Sequence, residues 1–248
     1  MTPVSFGQGV GTNADLAPTG TLRIGLIEAP SPGLIFVSRA ADGKPEGVTA
    51  DLAADLARTI GLPLAVTLFP NSGAAAAALQ STTIDVSFMP VDATRRQALD
   101  FGPGYYNLES TYLASAASGI TDATQVDRPG VRVLAIDGTT TFRASARTLT
   151  HTQPVAVPTV AEAVERMRAG RADAFALSRD TLRPVVRQVP GSRIVTGGFQ
   201  QTHVAVAVPK GRSGALAAVT AWLDDAKRTG VVRRIFDVHG FGGDAVAP

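Results

Sequence analysis

Cysteine is absent from the 248 residues. Thiolate nucleophiles, cysteine-based zinc sites and disulfides are therefore excluded together, while the redox state of the compartment stays open. Histidine is scarce: the three residues His151, His203 and His239 lie too far apart for a helical or hairpin metal motif. Each reads as a surface or lightly packed side chain, and neither a metal nor a cofactor is expected. No apolar stretch approaches the roughly 20 residues that cross a bilayer, so no membrane span is expected. Nor is there a long basic run, since 23 Lys and Arg stand against 21 Asp and Glu for a formal charge of +2. The pI near 9.3 reflects arginine content, and nucleic acid is not an expected partner. Residues 1–20 show no charged segment followed by an apolar one. The expected location is therefore periplasmic or extracellular if an export signal has been removed, and cytoplasmic otherwise.

What is present is an ordinary globular composition. Apolar residues make up 45% and charged residues 18%, which excludes disorder and low complexity. The length suits one large domain or two of about 100 to 150 residues, with a core that needs no staples.

Strands and helices alternate along the chain. Residues 21–27 read as a buried strand and 49–60 as a helix with Leu52, Ala53, Leu56 and Ile60 on one face, stopped by Gly61 and Pro63. A strand at 65–69, a small-residue helix at 74–80 and a strand at 85–89 follow, and then a helix to about residue 99 for which Asp92 is the expected N-cap. After Phe101-Gly-Pro-Gly a strand is expected at 110–114, with a connection at 114–119 that suits a boundary. A second series has strands at 131–136, 155–157, 172–177 and 193–195, with helices after Gly138-Thr139-Thr140, at 159–169 and at 179–188. A strand at 203–208 and helices at 213–229 and 231–238 close the chain. This alternation implies α/β architecture with mainly parallel sheets, whose ligands bind outside the carboxyl ends of the strands.

Several segments together resemble family 3 of the extracellular solute-binding proteins, the amino-acid-type receptors of ABC importers. They are Leu22-Arg-Ile-Gly, the stretch Gly43-Lys-Pro-Glu-Gly-Val-Thr-Ala-Asp-Leu-Ala, Ile84-Asp85, Arg95 with Phe101 six residues on, Pro103, Tyr105-Tyr106, Gly138-Thr139, Gly170-Arg-Ala-Asp-Ala and Val208-Pro-Lys-Gly. The resemblance runs from about residue 21 to 241. It implies a two-lobed type II periplasmic-binding fold, each lobe a mainly parallel sheet flanked by helices, joined by two crossing strands. Lobe 1 is expected at residues 1–113 and 203–248 and lobe 2 at 114–202, with the ligand cleft between them.

The resemblance also implies site residues. Arg95 matches the arginine that grips a ligand carboxylate, a task its planar fork suits. Gly138 and Thr139 match the second-lobe loop that meets the same carboxylate, with Thr140 a weaker candidate; a helix cap is the other reading of these residues. Pro90 belongs to the segment leading to Arg95. Three departures stand out. Asp92 replaces a threonine three positions before Arg95, where it either caps the helix or forms an ion pair with Arg95, and either role competes with a ligand carboxylate. Ser178 stands where an acid usually meets the ligand ammonium, and a hydroxyl cannot neutralise that charge; Asp180 or Glu109 is the alternative, and a hinge salt bridge is an equal reading of Glu109. The first loop, carrying Ser31 and Phe36, lacks the usual stacking arrangement, and Phe36 is either platform or core.

The function these features imply is a non-catalytic, monomeric receptor that closes over a small carboxylate-bearing solute and delivers it to an ABC permease if exported. The alternative is a cleft enzyme like the cyclohexadienyl dehydratases, with Glu28, Asp92 or Glu109 as general acid. A ligand-sensing module ranks third, since no DNA-binding or signalling segment accompanies it.

Overall fold

A computed structural model describes residues 14–28 and 35–248. The first half-fold runs β1 (Leu22–Ile27), β2 (Ser38–Arg39), β3 (Pro45–Glu46), α1 (Val48–Ile60), β4 (Leu64–Phe69), α2 (Ser72–Gln80), β5 (Val86–Pro90) and α3 (Ala93–Ala98). Helix α1 buries Leu52, Ala53 and Leu56 and ends on Gly61 at φ 70°, a left-handed conformation that glycine adopts without a Cβ penalty. Asn71 caps α2 and Asp92 caps α3, each side chain accepting from the N–H three residues on.

Next comes β6 (Leu99–Ala114), followed by β7 (Val133–Ile136), α4 (Thr140–Thr148), β8 (Pro154–Val157), α5 (Val160–Arg168), β9 (Ala174–Ser178), α6 (Arg179–Val185) and β10 (Arg193–Ile194). The chain closes with β11 (Gln200–Pro209), α7 (Ser213–Arg228) and α8 (Val231–Val238). Caps again match local sequence: Thr139 and Thr159 accept the N–H groups of Phe142 and Glu162.

The strand order is β4-β1-β5-β11-β6-β9-β7-β8, with β10 on β6. Strands β4, β1 and β5 are mutually parallel, as are β8, β7 and β9. The long strands β6 and β11 run antiparallel to each other between these groups and join the two lobes. Apolar packing divides in the same way. One cluster gathers residues between Leu16 and Leu108 together with Val204 to Phe241. Two smaller clusters lie on alternate residues of β9 and β7, one around Leu134 and Phe175, the other around Tyr112 and Ala135.

Two local expectations are corrected. The Phe101-Gly-Pro-Gly segment does not break the strand. The pairing register with β11 shifts between Ala205 and Ala207, a bulge that absorbs the missing N–H of Pro103. The helix expected at 179–188 stops at Val185 and continues as a 3₁₀ turn over Val186–Gln188, because Pro184 has no N–H to donate to the preceding turn. The β2–β3 hairpin has strands too short to carry an alternation signal.

Candidate functional site

The C-terminal ends of β1, β5, β7 and β9 converge on one cavity that opens to solvent. Hydroxyls form its polar wall: Ser72 from α2, Thr139, Thr140 and Thr141 at the start of α4, and Ser178 and Thr181 around the start of α6. Its apolar wall comes from Ile27, Phe36, Leu108, Ile136, Val160 and Leu177. Among the described residues Glu28 is the one charged side chain on this wall, and Arg39 holds it with Nε 2.7 Å from Oε1 and Nη2 3.3 Å from Oε2.

Arg95 lies directly behind that wall. Only 4% of the residue is exposed. Its Nη1 donates to the Pro90 carbonyl at 2.7 Å, and its Nη2 donates to Ser72 Oγ at 2.7 Å and to the Gly138 carbonyl at 3.1 Å. Pro90 and Ser72 themselves line the cavity. All three acceptors are uncharged. Burial, and then the nearby Arg143, pull the Arg95 guanidinium down to about 10, with Asp92 acting in the opposite sense; it remains a cation at neutral pH.

Asp92 caps its helix as expected, but the expected ion pair with Arg95 is corrected: its cationic partner is Arg143. Oδ1 accepts the Arg95 backbone N–H at 2.8 Å and caps α3, while Oδ2 forms an ion pair with Arg143 from the other lobe, Nε lying at 2.9 Å. Burial alone would raise this carboxyl, yet the Arg143 hydrogen bond, the Arg95 N–H and both positive charges hold it below the ordinary carboxylate range. Arg143 Nη1 also donates to the Gly138 carbonyl at 3.1 Å. Two guanidinium groups from opposite lobes thus meet at one carbonyl oxygen. The backbones approach closely there as well, since a Cβ built on Gly73 would lie 2.9 Å from the Gly138 oxygen.

The remaining expected residues divide. Pro90, Thr139, Thr140, Ser178 and Phe36 line the cavity. Phe36 is also 8% exposed and packs in the large apolar cluster, so wall and core coincide. Ser178 Oγ lies 2.8 Å from Thr181 Oγ1. Glu109 is not on the wall; it is bonded to Arg179, whose Nη2 also donates to the Gly197 carbonyl at 2.7 Å beside the crossing strands. Asp180 is not on the wall either, and its buried Oδ2 has no hydrogen-bond partner among the described residues. Ser31 lies outside the described residues.

Sequence reading missed Ser72 and Arg143. A cation four residues into a helix opposes the positive end of the helix dipole, so Arg143 in the second turn of α4 carried a faint signal of a partner elsewhere. Ser72 carried none, being one small polar residue beside a cap.

The family model for bacterial extracellular solute-binding proteins, family 3, matches residues 23–242. No curated protein sequence matches the chain. Among solved structures, a mutant of ArgBP from T. maritima is 22% identical with a TM-score of 0.78, over 92% of this chain and 98% of that one. The ancestral amino acid-binding protein AncCDT-1, described as a precursor of cyclohexadienyl dehydratase, is 24% identical with a TM-score of 0.77 over the same shares. An ancestral arginine-binding protein bound to glutamine is 26% identical with a TM-score of 0.77, over 90% of this chain and 98% of that one.

Proposed function

The chain belongs to family 3 of the bacterial extracellular solute-binding proteins, and on that premise we propose that it captures a small carboxylate-bearing solute by hinge closure, without chemistry, for an ABC importer. Lobe 1 in this reading is residues 1–113 and 203–248 and lobe 2 is 114–202; the apolar clusters support that division except at Tyr112 and Leu113, which pack with the second lobe. The observation that carries the reading is Arg95, a buried guanidinium behind the cavity wall whose acceptors are all neutral. A buried charge without a counter-charge is costly. An anionic guest that takes the place of the Gly138 carbonyl supplies that counter-charge, and its binding contributes to closure.

The dehydratase reading needs a carboxyl poised to give up a proton near neutral pH. Asp92 is held below the ordinary range, Glu28 and Glu109 are each bonded to an arginine, and Asp180, which burial pushes up to about 6, lies off the cavity wall. These pairings favour binding over catalysis.

Thermal melting with a panel of amino acids, oxo acids, dicarboxylates and aromatic acids tests the proposal. A ligand at a hundredfold excess over Kd stabilises by ~2.7 kcal/mol. Arg95→Ala is expected to keep the wild-type circular dichroism and lose the shift. A variant that retains the wild-type shift overturns the role of Arg95, and turnover of prephenate without any ligand-induced shift replaces the receptor reading with the enzyme.

A further inference from the structure

Of the four arginines bonded at or behind the cavity, Arg39, Arg143, Arg179 and Arg95, three hold a carboxylate. Glu28 is held by Arg39, Asp92 by Arg143 and Glu109 by Arg179. Arg95 is the remaining guanidinium, and its partners are two carbonyls and a hydroxyl. Residues 1–13 and 29–34 contain no Asp, Glu, Lys, Arg or His, so no side chain there alters this balance. Arg95 is thus the one of these four arginines without a carboxylate partner.

Resting on the carboxylate reading above, we propose that the occupant is a monoanionic organic acid without an ammonium group, an oxo, hydroxy or aromatic acid with a compact apolar body. An ammonium group entering this cavity finds no free counter-charge. Ser178 offers only a hydroxyl already 2.8 Å from Thr181 Oγ1. Glu28 is shared with Arg39, and drawing it away strands that arginine. Asp180 has an unpartnered oxygen, but it is absent from the cavity wall and faces Arg183, Asp244 and Glu109. A cation transferred from water into such surroundings loses its hydration without replacement. A carboxylate has the opposite fate: it meets Arg95 and the hydroxyl of Ser72, which accepts from Arg95 and keeps its own proton to donate to an anion. The body of the guest then lies against Ile27, Leu108 and Leu177.

Isothermal titration with matched probes tests this. Leucine is compared with 4-methyl-2-oxopentanoate, phenylalanine with phenylpyruvate and alanine with pyruvate and lactate, and each acid is also compared with its methyl ester. At least one deaminated acid is expected to bind ten times more tightly than its amino acid, and its ester to lose that binding. Ser178→Asp, which returns a carboxylate to the wall, is expected to move the ratio at least tenfold toward the amino acid. Asp180→Asn is expected to leave it unchanged. Amino acids binding as tightly as their deaminated partners overturn this inference and leave the carboxylate reading standing. An ester binding as well as its acid, or no binding by any pair, overturns both.

Discussion

Asp180 shows how a single buried side chain couples fold stability to pH. Burial pushes its carboxyl up to about 6, with Asp244 and Glu109 adding to the rise and Arg183 opposing it. The unfolded chain releases this proton in the ordinary carboxylate range near 4. The folded-state value is the higher one, so the contribution is complete below about pH 4 and is lost as pH rises through about 6. Asp180→Asn removes the ionisation. In urea unfolding, the variant is expected to match wild type near pH 4 and to exceed it by ~3 kcal/mol at pH 8, as a shift of about two pH units implies. A constant difference between the two proteins across that range would contradict burial as the cause.

At the scale of elements, α3 is a six-residue helix whose cap also serves as a contact between lobes. Helices this short gain little from their own hydrogen bonds and depend on caps and packing. Asp92→Asn retains a side-chain oxygen for the Arg95 N–H but discards the charge that meets Arg143, whereas Asp92→Ala discards both. Chemical denaturation is expected to find the alanine variant less stable than the asparagine variant by about 1 kcal/mol, the worth of an N-cap. Small-angle scattering is expected to find both variants more expanded than wild type, because each loses the ion pair between lobes. Since Asp92 titrates below the ordinary range, that pair is present above this range and is lost only as pH falls through its lowered value. Equal compaction of all three proteins would remove Asp92–Arg143 from the closure.

The whole molecule is two α/β lobes on a continuous pair of crossing strands, and their approach is limited by backbone at Gly73 and Gly138. Gly73 occupies the first turn of α2, where alanine would favour the helix by up to about 1 kcal/mol. The same methyl group would lie 2.9 Å from the Gly138 carbonyl oxygen. Gly73→Ala is therefore expected to raise or preserve the melting temperature of the ligand-free protein while lowering ligand affinity at least tenfold and expanding the molecule in scattering. A variant with unchanged affinity would mean that the lobes need not approach this closely to bind.

Much of this architecture was legible in local patterns. The apolar stripe of Leu52, Ala53 and Leu56, the caps Asp92, Thr139 and Thr159, and the stop at Gly61 act through neighbours a few residues away, so residue order alone determines them. The absence of cysteine and the scarcity of histidine likewise exclude thiol chemistry and histidine-rich metal sites before any folding is considered. Other features required the tertiary fold. The strand through Phe101-Gly-Pro-Gly exists because β6 bulges there while staying paired with β11. The Asp92–Arg143 pair joins residues 51 positions apart, and the acceptors of Arg95 come from Ser72, Pro90 and Gly138 on three separate elements. A carboxylate or guanidinium has no directional preference that its neighbours in sequence express. Its partner is settled only when folding removes water from it and leaves whichever opposite group the packed backbone has brought within reach.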